Sequence, residues 1–303
     1  MHRRDLLRGS LAALGATLVA GAGTPAPAAR AAACVLVYLH GGASQFETFD
    51  PKPGRPTGGP TRAIETRVAG LRFAEHLPRL AARAHRFATV RSVTAKEGNH
   101  DRARYLMRTG QPPQGGAVHP GLGALVSEAH PDLDVPPVAI AAPGQGPGLL
   151  GPRHASLFVR DPSRPLRNVD SPVDDPRRQD RLELWRGLQD DFARGRGHAG
   201  AIAGHTDVVD RATALMDSPR LAAFELAQES AATRARYGDD FGQSCLLARR
   251  LVDAGVPFVE VGLQGWDTHE DGFARTAALA TELDRGLSAL LDDLGASGRL
   301  AHT

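Results

Sequence analysis

The run Cys34-Val35-Leu36-Val37-Tyr38-Leu39 constrains this chain more than any other stretch, because it is apolar at both alternating sets of positions and stops at His40-Gly41-Gly42. A strand with no polar side has to be covered on both faces, which is the situation of a strand inside a parallel sheet. A second such run, residues 256–261, leads into Gly265-Trp266-Asp267-Thr268-His269, and a third, residues 135–141, is interrupted by Pro136 and Pro137. Residues 87–93 read as a further strand. Helical patterns lie between and after these runs, over residues 75–84 with Pro78 in the first turn, 100–108, 121–129, 178–194, 201–216, 230–236, 240–254 and 275–294. Strands alternating with helices predict an α/β fold, a mostly parallel sheet with helices on both faces. Residues 145–176, rich in Gly, Pro, Asp and Arg, read as one long surface connection.

The first 33 residues stand apart. Arg3, Arg4 and Arg8 precede a charge-free stretch from Gly9 to Gly23, and small residues with Pro25 and Pro27 follow. This is the pattern of a signal peptide, with cleavage expected between about Ala26 and Ala33. The apolar stretch is shorter than the ~20 residues a spanning helix needs, so no stable membrane span is expected after processing. Arg3-Arg4 followed by Leu6-Leu7 is similar to the twin-arginine type of leader, which makes the twin-arginine export machinery an expected partner and the periplasm or the exterior the expected address.

The 303 residues are 42% hydrophobic, enough for one large α/β domain over residues 34–303. Removing the leader leaves 32 basic and 33 acidic residues, and the chain has only three Tyr and two Trp. A near-neutral body without a basic face or stacking platform predicts no nucleic-acid partner. Two cysteines cannot build a disulfide framework.

In open parallel sheets ligands collect beyond the carboxyl ends of the strands, which singles out residues 40–50, 94–104 and 262–270. In the last of these, an extended Asp267-Thr268-His269 would put a carboxylate and an imidazole on one side, a two-ligand edge for a divalent metal. The alternative is an Asx turn at Asp267 with His269 capping the next helix. In the second loop, Asn99 is placed as helix N-cap, with His100 in the first turn and Arg104 one turn on. A helix N-terminus with a histidine and an arginine can cradle a phosphate or sulfate oxyanion, or be no more than a capped helix with a solvated arginine.

Residues 35–42 also look like the oxyanion-hole strand of lipases and esterases, but no Gly-x-Ser-x-Gly elbow occurs. Gly242-Gln243-Ser244 comes nearest and lies in a helical pattern. A serine esterase is therefore the weakest of the functional readings. Ser44, Glu47 and Asp50 remain as nucleophile or ligand candidates or as turn residues.

Taken together, the leader, residues 39–53, Asn99-His100 through Thr109-Gly110, Arg236-Tyr237-Gly238, Phe241-Gly242-Gln243 and Gly265-Trp266-Asp267-Thr268-His269 resemble the domain-of-unknown-function 1501 family. That resemblance implies an alkaline-phosphatase-like fold, related to phosphatases and sulfatases. It further implies a metal-dependent hydrolase of phosphoesters or sulfoesters, acting on a small-molecule or polymeric ester. Sulfatases of that superfamily have a nucleophile at a helix start, an arginine four residues on and Thr-Gly ten residues on. Matching Thr109-Gly110 to that ending implies catalytic roles for His100 and Arg104 and oxyanion binding by Asn99 and Arg104. His100 departs from the usual Cys, Ser or Thr, leaving metal ligation or acid–base work for that position. Asp267, His269, Glu47 and Asp50 are the implied ligands of a divalent ion, Zn, Mn, Ca or Mg; Glu47 stands where relatives often carry Asp. Relatives continue with a further strand, a Glu-Phe-Gly-Arg stretch and a Gly-Arg-Asp-His-Trp stretch. Without them the expectation is an incomplete, inactive form lacking its C-terminal strand region. A non-catalytic exported binding protein that keeps the fold is the rival class.

Overall fold

The computed structural model describes residues 31–196 and 199–303. All but the last three positions of the expected leader lie outside the described residues. The chain enters the main sheet at β1 (Cys34–Leu39) and makes a short ribbon of β2 (Ala63–Glu65) and β3 (Arg72–Ala74) before α1 (Pro78–Ala82). Next come α2 (His100–Thr109), α3 (Leu122–Ala129), β4 (Val138–Ile140) and β5 (Leu157–Val159). Two long helices, α4 (Asp175–Arg196) and α5 (Ala199–Met216), precede α6 (Ala231–Tyr237), α7 (Asp240–Asp253), β6 (Phe258–Leu263) and α8 (Gly272–Ala296).

The main sheet has the order β1-β6-β4-β5 and every pairing in it is parallel. Its two longest strands, β1 and β6, are the two strongest apolar runs of the sequence, and they lie side by side with Cys34 opposite Phe258 and Leu39 opposite Leu263. Strand β6 is buried along its whole length. Its alternation sends Val259, Val261 and Leu263 into a core shared with Leu246 and Leu251 of α7 and Leu283 and Leu290 of α8. Each leucine buried there contributes about 1.5–3 kcal/mol. Phe258, Glu260 and Gly262 face the other way, toward α2, whose Arg108 pairs with Glu260, and α3, where a β-carbon at Gly123 would lie 3.4 Å from the Phe258 ring. Helices therefore cover both faces, as the apolar runs predict.

Pro78 occupies the first turn of α1 as expected, where its missing N–H costs no hydrogen bond. The free N–H groups of that turn, on Arg79 and Leu80, donate to the Asp284 carboxylate of α8 at 3.0 and 2.7 Å.

Two expectations are corrected. Residues 87–93 form no strand: Phe87 stacks on Phe73 with ring centroids 5.8 Å apart, while Val90 and Val93 stand open to solvent with no neighbour to pair with. The stretch 145–176 is not a plain connection, because it contains β5, which adds to β4 with Val138 opposite Leu157. The ribbon of β2 and β3, paired antiparallel with Ala63 opposite Ala74, has no expected counterpart. Among the described residues no helix is long and apolar enough to cross a membrane.

Candidate functional site

Because Leu39 and Leu263 are opposite each other, the loops leaving β1 and β6 start together and stay together. The His40 N–H donates to the Leu263 carbonyl at 2.8 Å, and the Trp266 N–H donates to the His40 carbonyl at 3.0 Å. Gly41 has φ +112°, and a β-carbon there would sit 2.3 Å from the Asp267 nitrogen, so both its conformation and its surroundings require glycine. Trp266 is buried behind the loop and anchors it. These contacts fix Asp267 at the carboxyl end of the sheet.

Helix α2 brings the other half. Asn99 is its N-cap, in the extended conformation, and its side-chain oxygen accepts from the Arg102 N–H at 3.2 Å. The first helical residue is then His100, whose Nε2 lies 3.3 Å from Asp267 Oδ1. From the other side His269 Nε2 approaches the same oxygen to 2.7 Å. One ligand atom from each of His100, Asp267 and His269 falls within 4.8 Å of the others. The three side chains are 58%, 48% and 81% exposed, so the group opens onto solvent. The capping alternative for His269 does not hold, since α8 begins at Gly272 with Asp271 as its N-cap.

Two imidazoles and a carboxylate are the donor set of an open catalytic zinc site, with a fourth position left for water or substrate. The residues present thus fit a divalent ion, and their nitrogen content favours Zn²⁺ over Ca²⁺ or Mg²⁺, which prefer oxygen throughout.

The remaining candidates are not brought into this group. Glu47 ends a short 3₁₀ turn after β1 and is half-buried. Asp50 is taken up by Lys52 at 2.5 Å and Arg91 at 2.8 Å. Burial pushes its carboxyl up, but the hydrogen bonds and charges of Lys52 and Arg91 outweigh this and hold it below its ordinary value. Arg104 turns to Asp101 on its own helix, and Arg102 pairs with Glu97 at 2.8 Å. Glu97 also accepts the Asn99 N–H at 3.2 Å. The helix start is therefore capped and charge-balanced by neighbouring protein groups. Ser244 is wholly buried inside α7 and donates to the Asp240 carbonyl at 2.9 Å, an arrangement unlike a nucleophile elbow.

Sequence reasoning missed the polar cluster beside the site. Arg108 of α2 and Glu260 of β6, with side chains only 4% and 7% exposed, form an ion pair inside the fold. The Arg108 guanidinium lies 4.2 Å from the centre of the Tyr38 ring and 3.4 Å from His40 Nε2. His40 in turn packs edge-on to Tyr38, with centroids 4.7 Å apart. Burial, followed by the charges of Arg108 and Arg104, pushes the His40 pKa down to about 4, so the imidazole is neutral and its Nε2 accepts from Arg108. Burial pushes the Glu260 carboxyl up, and Arg108 pulls it partly back. The available signal was Glu260 itself, a lone charge in an otherwise apolar strand, which demands a buried partner.

The family model described as "Protein of unknown function (DUF1501)" matches residues 31–303. No curated protein and no solved structure matches the chain.

Proposed function

We propose, from the premise that the chain belongs to the DUF1501 family, that it is an exported, metal-dependent hydrolase of phosphoesters or sulfoesters. The observation that carries this reading is the meeting of His100, at the start of α2, with Asp267 and His269, in the loop after β6, at the carboxyl end of a parallel sheet. The same placement supports an alkaline-phosphatase-like ancestry for the fold. The leader in residues 1–33 supports export by the twin-arginine route.

In this reading His100, Asp267 and His269 hold the ion, which when bound supplies Lewis acidity at an ester oxygen. Gly41 and Trp266 keep Asp267 in place. Arg104, exposed one turn along α2 from His100, offers guanidinium N–H groups to a non-bridging oxygen, as its pairing with Asp101 engages only part of the fork. His40 is neutral above about pH 4 and its Nε2 accepts from Arg108, so the ring takes up no proton at neutral pH and serves to position Arg108. The exposure of all three ligand side chains favours one second reading, a metal-carrying binding protein with no turnover.

The test is a screen of the purified protein with p-nitrophenyl phosphate and p-nitrophenyl sulfate, with and without added Zn²⁺ or Mn²⁺. Metal-dependent release of p-nitrophenol that disappears in Asp267→Ala supports a hydrolase. Metal binding with neither ester cleaved supports the binding protein instead.

A further inference from the structure

A cavity of about 990 Å³ opens between β5, the loop that follows it, β6 and the start of α7. Its size suits a small organic molecule. None of His100, Asp267 and His269 lines it. The floor is apolar, formed in part by Leu157, Val159 and Leu263, whose side chains share the sheet face covered by α7.

The loop after β5 supplies one wall with three arginines within eight residues, Arg160, Arg164 and Arg167. Arg164 is paired with Asp161 at 3.0 Å. Arg160 and Arg167 have no ionic partner among the described residues, in a molecule whose other arginines are tied to carboxylates at many points. Two carboxylates, Asp240 and Glu282, stand on the helical wall of the same cavity and leave both arginines unpaired. Burial pushes the Glu282 carboxyl up, the Phe241 N–H pulls it back, and the charges of Asp240 and Asp239 raise it further.

The cavity is thus polarised, with free guanidinium groups on one wall, carboxylates on the other and an apolar floor between. We infer that it binds an organic anion: a sulfonate, phosphate or carboxylate head on the Arg160 and Arg167 wall, and an apolar body against Leu157 and Leu263. Guanidinium groups at the edge of an apolar surface bind such heads through charge-assisted, forked hydrogen bonds. The carboxylate wall sets the orientation, because it repels the head and accepts hydrogen bonds from hydroxyl or amino groups at the far end of the ligand. This inference does not depend on a metal at His100, Asp267 and His269.

The experiment is a calorimetric titration of the full chain with naphthalene-1-sulfonate and, as the neutral counterpart, naphthalene-1-methanol. Both substituted arginines are exposed, so Arg160→Ser/Arg167→Ser should melt with the wild type. The wild type is expected to bind the sulfonate at least tenfold more tightly than the alcohol, and the double variant to lose that preference. Asp267→Ala should bind the sulfonate as the wild type does. Equal affinity of the wild type for sulfonate and alcohol, or unchanged sulfonate binding by the double variant, would overturn the inference. A loss in Asp267→Ala as large as that in the double variant would also overturn it, by placing the anion elsewhere.

Discussion

Gly41 and Asp267 meet backbone to backbone: a β-carbon on Gly41 would lie 2.3 Å from the Asp267 nitrogen, at a φ of +112°. One glycine therefore sets the approach of the two loops that hold the site. Gly41→Ala is predicted to lower stability by about 2 kcal/mol through backbone strain, and to weaken Zn²⁺ binding because Asp267 has to move aside. Denaturant melts and metal titration of the variant check both halves, and a variant that matches the wild type in both would contradict this account of the loop.

The buried pair of Arg108 and Glu260 predicts a non-additive mutant cycle. Arg108→Met alone leaves a carboxylate without a partner inside the fold and should cost about 3–5 kcal/mol. Changing Glu260→Met as well removes the orphaned charge, so the double variant should be more stable than Arg108→Met alone. If the two single losses simply add, the pair is not the unit described.

His40 predicts a pH dependence whose sign follows from its depressed pKa. Between 6.5 and about 4 the unfolded chain takes up a proton at this position that the folded chain refuses. Its contribution to stability is therefore complete above 6.5 and is lost as the pH falls toward 4. His154, lowered by burial and then by Arg211, acts with the same sign. His40→Gln should accordingly flatten, without abolishing, the fall in melting temperature between pH 7.5 and pH 4.5. A variant with the wild-type slope would contradict the half-buried, neutral state of this ring.

Asp284 predicts the cost of a cap supplied from a distant helix. Its carboxylate takes the Arg79 and Leu80 N–H groups at the start of α1, so Asp284→Ala should cost about 1–2 kcal/mol. Asn, which keeps one acceptor, should recover part of the loss. Thermal melts of the two variants read this directly, and equal losses would argue against capping.

What could be read ahead of the structure follows from the range of each interaction. Strands β1 and β6 end at glycine-bearing loops and their address was legible; β6 is buried throughout as expected, whereas β1, apolar along its length, is the edge strand of the sheet and only half-buried. Asp267 and His269 are close in sequence and their side chains meet at 2.7 Å, yet the Thr268 N–H donates to the Trp266 carbonyl at 3.0 Å, so a tight turn at Asp267 and not an extended loop brings them together. Strands β2, β3 and β5, three residues each, are too short for alternation to show, and only their pairing partners define them. Residues 87–93 have the composition of a strand but no partner, and composition alone cannot supply one. The arrival of His100 at Asp267 and of Arg108 at Glu260 joins positions more than 150 residues apart, as the 152-residue separation of the latter pair shows. Local spacing carries no trace of such contacts. Glu47 and Asp50 were attractive as acids beside a strand end, yet Asp50 is committed to Lys52 and Arg91, and the group of His100, Asp267 and His269 forms without either.

If His100, Asp267 and His269 together hold a divalent ion, as proposed, the protein should take up that ion in a fixed ratio. The most direct test is metal stoichiometry by mass spectrometry on protein stripped with chelator and reloaded with Zn²⁺, followed by titration of His100→Ala, Asp267→Ala and His269→Ala. The wild type is expected to hold close to one Zn²⁺ per chain and each variant to lose at least tenfold in affinity, about 1.4 kcal/mol or more. A wild type that stays metal-free after reloading, or three variants that retain Zn²⁺ as the wild type does, would contradict it.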